Sequence, residues 1–337
     1  MLTVVCERPG VLKAEHRPQP EQGPGEVLVR IRRVGVCGTD LHIFSGNQPY
    51  LSYPRVMGHE LAGVIEAVPA GSPLKVGDTA FIIPYISCGQ CRPCRNGRTN
   101  CCQRLQVLGV HRDGGMTELL SLPEQFVCPA PDLSLDQAAM VEFLAIGAHA
   151  VRRSRIQAGQ TALVVGTGPI GIAVALFARR RGAQVTLLDR REERLSFCSA
   201  KLGFTSTVVA GENDRDQLAA ATADDFFDVV FDATGSPAAM ERGFGFVGHG
   251  GTYVLVSIVA SNITFSDPEF HKRETTLLGS RNATREDFET VIQAIRAGDI
   301  PTETLATHRL TLDETPLGFP ALLDPASGVV KALISVP

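Results

Sequence analysis

Cys88, Cys91, Cys94 and Cys102 share one short stretch of this 337-residue chain, while its five other cysteines are scattered. Two-residue gaps let successive thiolates turn inward around a single ion, and the longer return loop brings the fourth in to close a tetrahedron. An all-sulfur set suits Zn²⁺ and leaves no coordination position open. The spacing predicts a lobe of about residues 85–105 clipped by a structural metal, with the chemistry located elsewhere.

Apolar residues make up 44% of the chain, charged residues 20%, and the net charge is −4, an ordinary globular composition with room for two cores. No basic excess exists to collect phosphates, and Trp is absent, so a nucleic-acid partner, including a zinc-ribbon reader, is not expected. The first twenty residues show no basic segment followed by an apolar core, and the apolar runs are too short and interrupted for a membrane span. With metal-type cysteine spacing, this predicts a reducing, cytoplasmic setting and no membrane partner.

Short β-rich runs such as Glu26–Arg32, Leu61–Val68 and Asp78–Ile83 alternate with Gly- and Pro-rich turns up to about residue 150. Beyond about 155 the texture changes. Strand candidates at Thr161–Val165, Gln184–Leu188, Asp228–Asp232 and Gly251–Val256 alternate with helical patterns such as Ile170–Arg181, which predicts a parallel sheet. Arg285–Ala297 reads as a helix stopped by Gly298, and a last strand, Val329–Val336, is expected to return to the first domain.

Gly166-Thr-Gly168-Pro169-Ile170-Gly171 follows a strand and opens a helix. Small residues there permit a tight turn and close approach to a pyrophosphate, and the helix start supplies free amides. Asp189 ends the next strand, where a carboxylate can bind an adenosine ribose diol. Its charge disfavours a 2′-phosphate, whereas Arg190 and Arg191 could clamp one; NAD is the expected cofactor. Thr234 and Gly235, in Asp232-Ala-Thr-Gly-Ser236, are candidates for the adenine side or for a plain structural turn.

Cys37, His59 and Glu60 supply sulfur, imidazole and carboxylate, all accepted by Zn²⁺, and three protein ligands leave a position open. Glu142 lies in an apolar run, where an unpaired carboxylate is costly, as a fourth ligand or as a partner of metal-bound water. Each residue also has a structural reading. Cys37 could be a small buried hydrophobe and His59 a hydrogen-bonded core histidine.

Cys37-Gly-Thr39-Asp-Leu-His42, Gly58-His-Glu60, the four-cysteine lobe and the Gly166–Gly171 turn occur in the order found in zinc-dependent medium-chain alcohol and polyol dehydrogenases, which the whole chain resembles. The resemblance implies an α/β protein with a GroES-like β-rich catalytic domain (1–150 and 286–337) and a doubly wound Rossmann domain (151–285). It implies two Zn²⁺ per chain, one catalytic on Cys37, His59 and Glu60, with Glu142 as a variable further ligand, and one structural. It gives Thr39 and His42 a proton-relay role in hydride transfer to NAD, and it implies a homodimer or homotetramer.

Four further segments, Gly46–Tyr50, Val107–Gly115, Phe265–Glu274 and Gly279–Asn282, resemble bacterial hexonate dehydrogenases, the subgroup containing L-galactonate and L-gulonate 5-dehydrogenases and starvation-sensing dehydrogenase-like proteins. The implied substrate is a sugar acid oxidised at its C5 hydroxyl. Lys272, Arg273 and Arg281 are candidates for its carboxylate, and Asn47, Gln48 and His111 for its hydroxyls. A neutral polyol, as in sorbitol dehydrogenases, or L-threonine is the alternative substrate; a non-catalytic NAD-binding sensor is the alternative of another class.

Overall fold

In the first unit, the strand Glu26–Val36 carries apolar residues at alternate positions, and Val27, Val29, Ile31 and Val34 are fully buried. The computed structural model describes residues 1–48 and 51–337, and it divides into two units: Met1–Glu142 with Pro301–Pro337, and Phe143–Ile300. Pro49 and Tyr50, in one of the hexonate-like segments, lie outside the described residues.

Glu26–Val36 is the hub of a seven-stranded sheet. One edge pairs with Glu60–Ala67; on the other, residues 26–30 pair with Leu119–Pro123 and residues 33–36 with the C-terminal strand Lys331–Ser335. The register sets Gly35 opposite Glu60 and Val36 opposite Ala332. Three strand ends from distant parts of the chain therefore meet beside Cys37, which ends the turn out of the hub strand and caps the helix Gly38–Phe44. Leu61, Ile65, Ile82 and Ile334 fill the core behind them.

The second unit is a six-stranded, all-parallel sheet whose strands, counted along the chain, stand in the order 3-2-1-4-5-6. That is the doubly wound dinucleotide-binding order, which places a ligand at the carboxyl ends of the strands where the order reverses. Its first strand is Thr161–Val165, and the helix Pro169–Arg180 follows, with Ile172 to Ala178 all buried. Close packing explains the glycine at 171: a Cβ there would overlap the carbonyl of Gly166, itself held at φ +90°. Two short strands, Ser206–Val209 and Thr276–Gly279, carry too few buried residues to stand out in the sequence.

The sequence places the domain boundaries at 150 and 286; the units change over at 142/143 and 300/301. A side-chain network accounts for the displacement. Asp287, buried in the helix Arg285–Arg296, accepts from Arg152 at 2.7 and 3.0 Å and lies 2.8 Å from His149, both on the helix Val141–Ser154. The two helices are thereby held together in the second unit.

Candidate active site

In the cysteine lobe, the Sγ atoms of Cys88, Cys91, Cys94 and Cys102 lie within 4.8 Å of one another. The backbone amides of Cys88 and Arg104 each point at Cys102 Sγ from 3.3 Å. Amides of Gln90 and Cys91 lower the Cys88 thiol to about 5. Amide donors aimed at sulfur stabilise thiolates, the form that binds a metal. Cys101 is exposed and stands outside the cluster.

The second cluster is organised by a residue that sequence reasoning left unassigned. Asp40 is fully buried; its Oδ2 accepts from the Cys37 amide at 2.9 Å and its Oδ1 from the Gly58 amide at 3.2 Å. One carboxylate so ties the Cys37 turn to the segment Gly58-His59-Glu60, where Gly58 takes φ +94°. Cys37 Sγ, a ring nitrogen of His59 and a carboxylate oxygen of Glu60 fall within 4.8 Å of one another. Burial opposes a charge on His59, yet the nearby Cys37 and Asp40 outweigh it and hold its pKa well above the ordinary value.

Glu142 is also buried, and burial raises its carboxyl to about 7. Its Oε1 accepts from the hydroxyl of Tyr85, a buried residue at the start of the cysteine lobe. Glu142 Oε2 and His59 Nδ1 are buried with no hydrogen-bond partner. An unpartnered carboxylate oxygen and imidazole nitrogen beside a thiol and a second carboxylate are ligand types that zinc accepts, and this set fits zinc.

Lys331 is a further residue that the sequence reading missed. Its Nζ lies 2.7 Å from both oxygens of Glu60 and donates to the Val36 carbonyl at 3.1 Å. A lysine within the apolar strand Lys331–Ser335 was the available signal.

In the second unit, a cleft of about 570 Å³ is lined by Gly166, Gly168, Asp189, Arg190, Arg194 and Thr234, among others. Gly168 caps the helix whose first residues are Pro169 and Ile170, so its first-turn amides face the cleft end of the sheet. Asp189 Oδ2 accepts from the Thr167 amide at 2.6 Å and its hydroxyl at 2.8 Å, which fixes the carboxylate at the strand end. Asp232 Oδ1 likewise accepts from the amide and hydroxyl of Thr234, and Gly235 takes φ +64°. Arg194, also unassigned from sequence, is half-buried, and burial lowers its pKa. The donors and shape of this cleft fit a dinucleotide.

Thr39 is half-buried and His42 exposed; three residues apart on the helix Gly38–Phe44, they share a face. Asn47 is exposed and Gln48 half-buried in the following turn. His111 is exposed, and its Nδ1 accepts from the Val107 amide at 3.1 Å, closing a local turn. Lys272 and Arg273, candidates for the substrate carboxylate, stand at the opposite end of the parallel sheet from the cleft. They precede the strand Thr276–Gly279, and Arg273 donates to the carbonyl of Val247, the first residue of the neighbouring strand. Chain direction sets this: the cleft lies where strands end. Arg281 is exposed and follows the carboxyl end of its strand, at the end of the sheet where strands finish.

The chain belongs to the zinc-binding alcohol dehydrogenase family: residues 23–132 match the alcohol dehydrogenase GroES-like domain and residues 169–297 the zinc-binding dehydrogenase domain. It is an oxidoreductase acting on CH–OH donors. It is 43% identical to the L-galactonate-5-dehydrogenase of Escherichia coli K12 over 94% of each chain. Among solved structures, RspB alcohol dehydrogenase from Escherichia coli CFT073, complexed with NADH, superposes with a TM-score of 0.93 at 28% identity over 99% of both chains. A zinc-binding dehydrogenase from Sinorhizobium meliloti 1021, bound to NADP, gives 0.90 at 29% identity over 99% of this chain and 98% of its own. Among the described residues no helix is long and apolar enough to cross a membrane.

Proposed function

We propose that this chain oxidises the C5 hydroxyl of a hexonate, L-galactonate or L-gulonate, to a keto acid, with NAD as acceptor. The convergence of Cys37, His59 and Glu60 within 4.8 Å carries the reading of the site. The hexonate rests on the 43% identity with L-galactonate-5-dehydrogenase.

Cys37, His59 and Glu60 would hold a zinc ion, with Glu142 as a further candidate, and Cys88, Cys91, Cys94 and Cys102 would hold a second. Once bound, zinc would make a substrate hydroxyl more acidic and nicotinamide would take up the hydride. The remaining work falls to side chains. Thr39 Oγ1 accepts the hydroxyl proton as it gives its own toward His42, which, exposed on the same helical face, passes a proton to solvent. Per turnover the substrate loses a hydride and a proton, and NADH and H⁺ form. The Gly166–Gly171 turn binds the pyrophosphate. Asp189 takes the adenosine ribose, its charge disfavouring a 2′-phosphate, with Arg190 at the cleft edge and Thr234 and Gly235 toward the adenine. Arg281, Asn47, Gln48 and His111 remain candidates for the sugar acid; Lys272 and Arg273 do not. The enzyme works as a homodimer or homotetramer.

An NAD-coupled screen of aldonates and neutral polyols tests this reading. L-Galactonate or L-gulonate is expected to give the highest kcat/KM, with NADP a poorer acceptor. Faster oxidation of sorbitol or L-threonine than of any aldonate would reject the substrate class.

A further inference from the structure

We propose that Lys331 is a positioning residue of the metal site, holding and charge-balancing the Glu60 carboxylate so that it can face an ion. The proposal rests on the reading of Cys37, His59 and Glu60 as zinc ligands and adds a residue from the opposite end of the chain.

Lys331 is the one lysine or arginine in the buried class among the described residues, at 1% exposure. Burying an ammonium group requires a partner of opposite charge with good geometry. The Lys331 hydrogen bonds to Glu60 and Val36 run to the metal cluster's own frame. Glu60, at 2.7 Å through both oxygens, follows His59 directly, and Val36, whose carbonyl accepts at 3.1 Å, precedes Cys37. Lys331 so grips the chain next to two of the three ligands.

The space for this arrangement is also built in. Gly35 stands opposite Glu60 in the strand pairing, and a Cβ at position 35 would overlap the Glu60 carboxylate. Each carboxylate oxygen bonded to Lys331 keeps a second lone pair, so the lysine aims Glu60 without consuming its donor capacity. Charge adds a separate effect, on the ion's reactivity and not on its retention. A Cys37 thiolate and the Glu60 carboxylate already cancel the two charges of Zn²⁺, so any charge on the buried Glu142 or Asp40 carboxyl is in excess. A fixed ammonium on Glu60 lessens the excess that would blunt the ion's pull on a hydroxyl.

The test uses the full-length zinc enzyme and the metal alone as probe. Zinc per chain, zinc affinity by chelator competition, and the absorption bands of the Co²⁺-substituted protein are measured for wild type, Lys331→Met, Lys331→Arg and Gly35→Ala. The four-cysteine lobe serves as an internal reference for folding. Lys331→Met is expected to retain the lobe's ion but to bind the other roughly 10- to 100-fold more weakly, with altered Co²⁺ bands. Lys331→Arg should recover most of the affinity, and Gly35→Ala, which changes no charge, should reproduce the loss. Should Lys331→Met fail to fold, Gly35→Ala and the charge-matched Lys331→Met/Glu60→Gln pair decide, the pair being no weaker in zinc than Glu60→Gln alone. Unchanged affinity and bands in Lys331→Met, or in Gly35→Ala where that variant decides, would overturn the role of Lys331. Wild-type enzyme holding only the lobe's ion would instead overturn the metal-site reading beneath it.

Discussion

The two candidate metal clusters are built on opposite plans. The cysteine lobe draws four like donors from residues 88–102, and nearby backbone amides tune them. The cluster at Cys37, His59 and Glu60 draws unlike donors from two segments, is braced by Asp40, and is flanked by Glu142 with Tyr85 and by Lys331 from a strand near the C-terminus. A closed set of like donors suits a clip. A mixed, largely buried set with unpaired oxygen and nitrogen atoms suits an ion that must keep a position for substrate.

Four variants can break or sharpen that contrast. Cys102→Ser should have the largest effect, destabilising the protein by roughly 4–5 kcal/mol through loss of the lobe's metal, read by denaturant unfolding and by proteolysis within 88–102. A silent Cys102→Ser would remove the clip. Cys37→Ser should cut kcat/KM by roughly 10³-fold, about 4 kcal/mol, while thermal unfolding moves little. Equal losses of stability in both variants would erase the distinction between the two plans.

A third test uses pH. Burial raises Glu142 from 4.5 to about 7, so the folded chain binds more protons than the unfolded one between those values. Metal-free protein should therefore be most stable below about pH 4.5 as far as this group is concerned, losing on the order of 3 kcal/mol as pH rises through 7. Glu142→Gln should flatten that slope in urea titrations at several pH values, and zinc loading should reduce it. A slope identical in all three would show that Glu142 does not face the ion. The smallest effect belongs to Cys101→Ser. Its thiol is exposed and outside the cluster, so stability should stay within about 0.5 kcal/mol and zinc content should be unchanged.

Much of this was legible before the fold. Gly166, Gly168 and Gly171 sit at the strand-to-helix turn that their spacing implies, and Asp189 ends the next strand. The helix expected at Ile170–Arg181 runs Pro169–Arg180, and the strand expected at Asp228–Asp232 runs Phe227–Asp232. Lys272 and Arg273 read from sequence as substrate-binding cations, but they stand where strands begin and the cleft lies where strands end. Tyr85 carried no signal, because a buried tyrosine looks like core until its hydroxyl is seen on Glu142.

The sequence by itself determined what short spans of chain can enforce: the cysteine clip, the glycine turn, the strand–helix rhythm and the identity of the donors. Over two or three residues, bond lengths and allowed dihedrals leave few ways to place a side chain, so spacing is already geometry. Only the tertiary structure decided that Glu60 meets Lys331, 271 residues away, and that Glu142 meets Tyr85. Those encounters depend on strand order and register, which the whole core sets at once, and no local pattern records them.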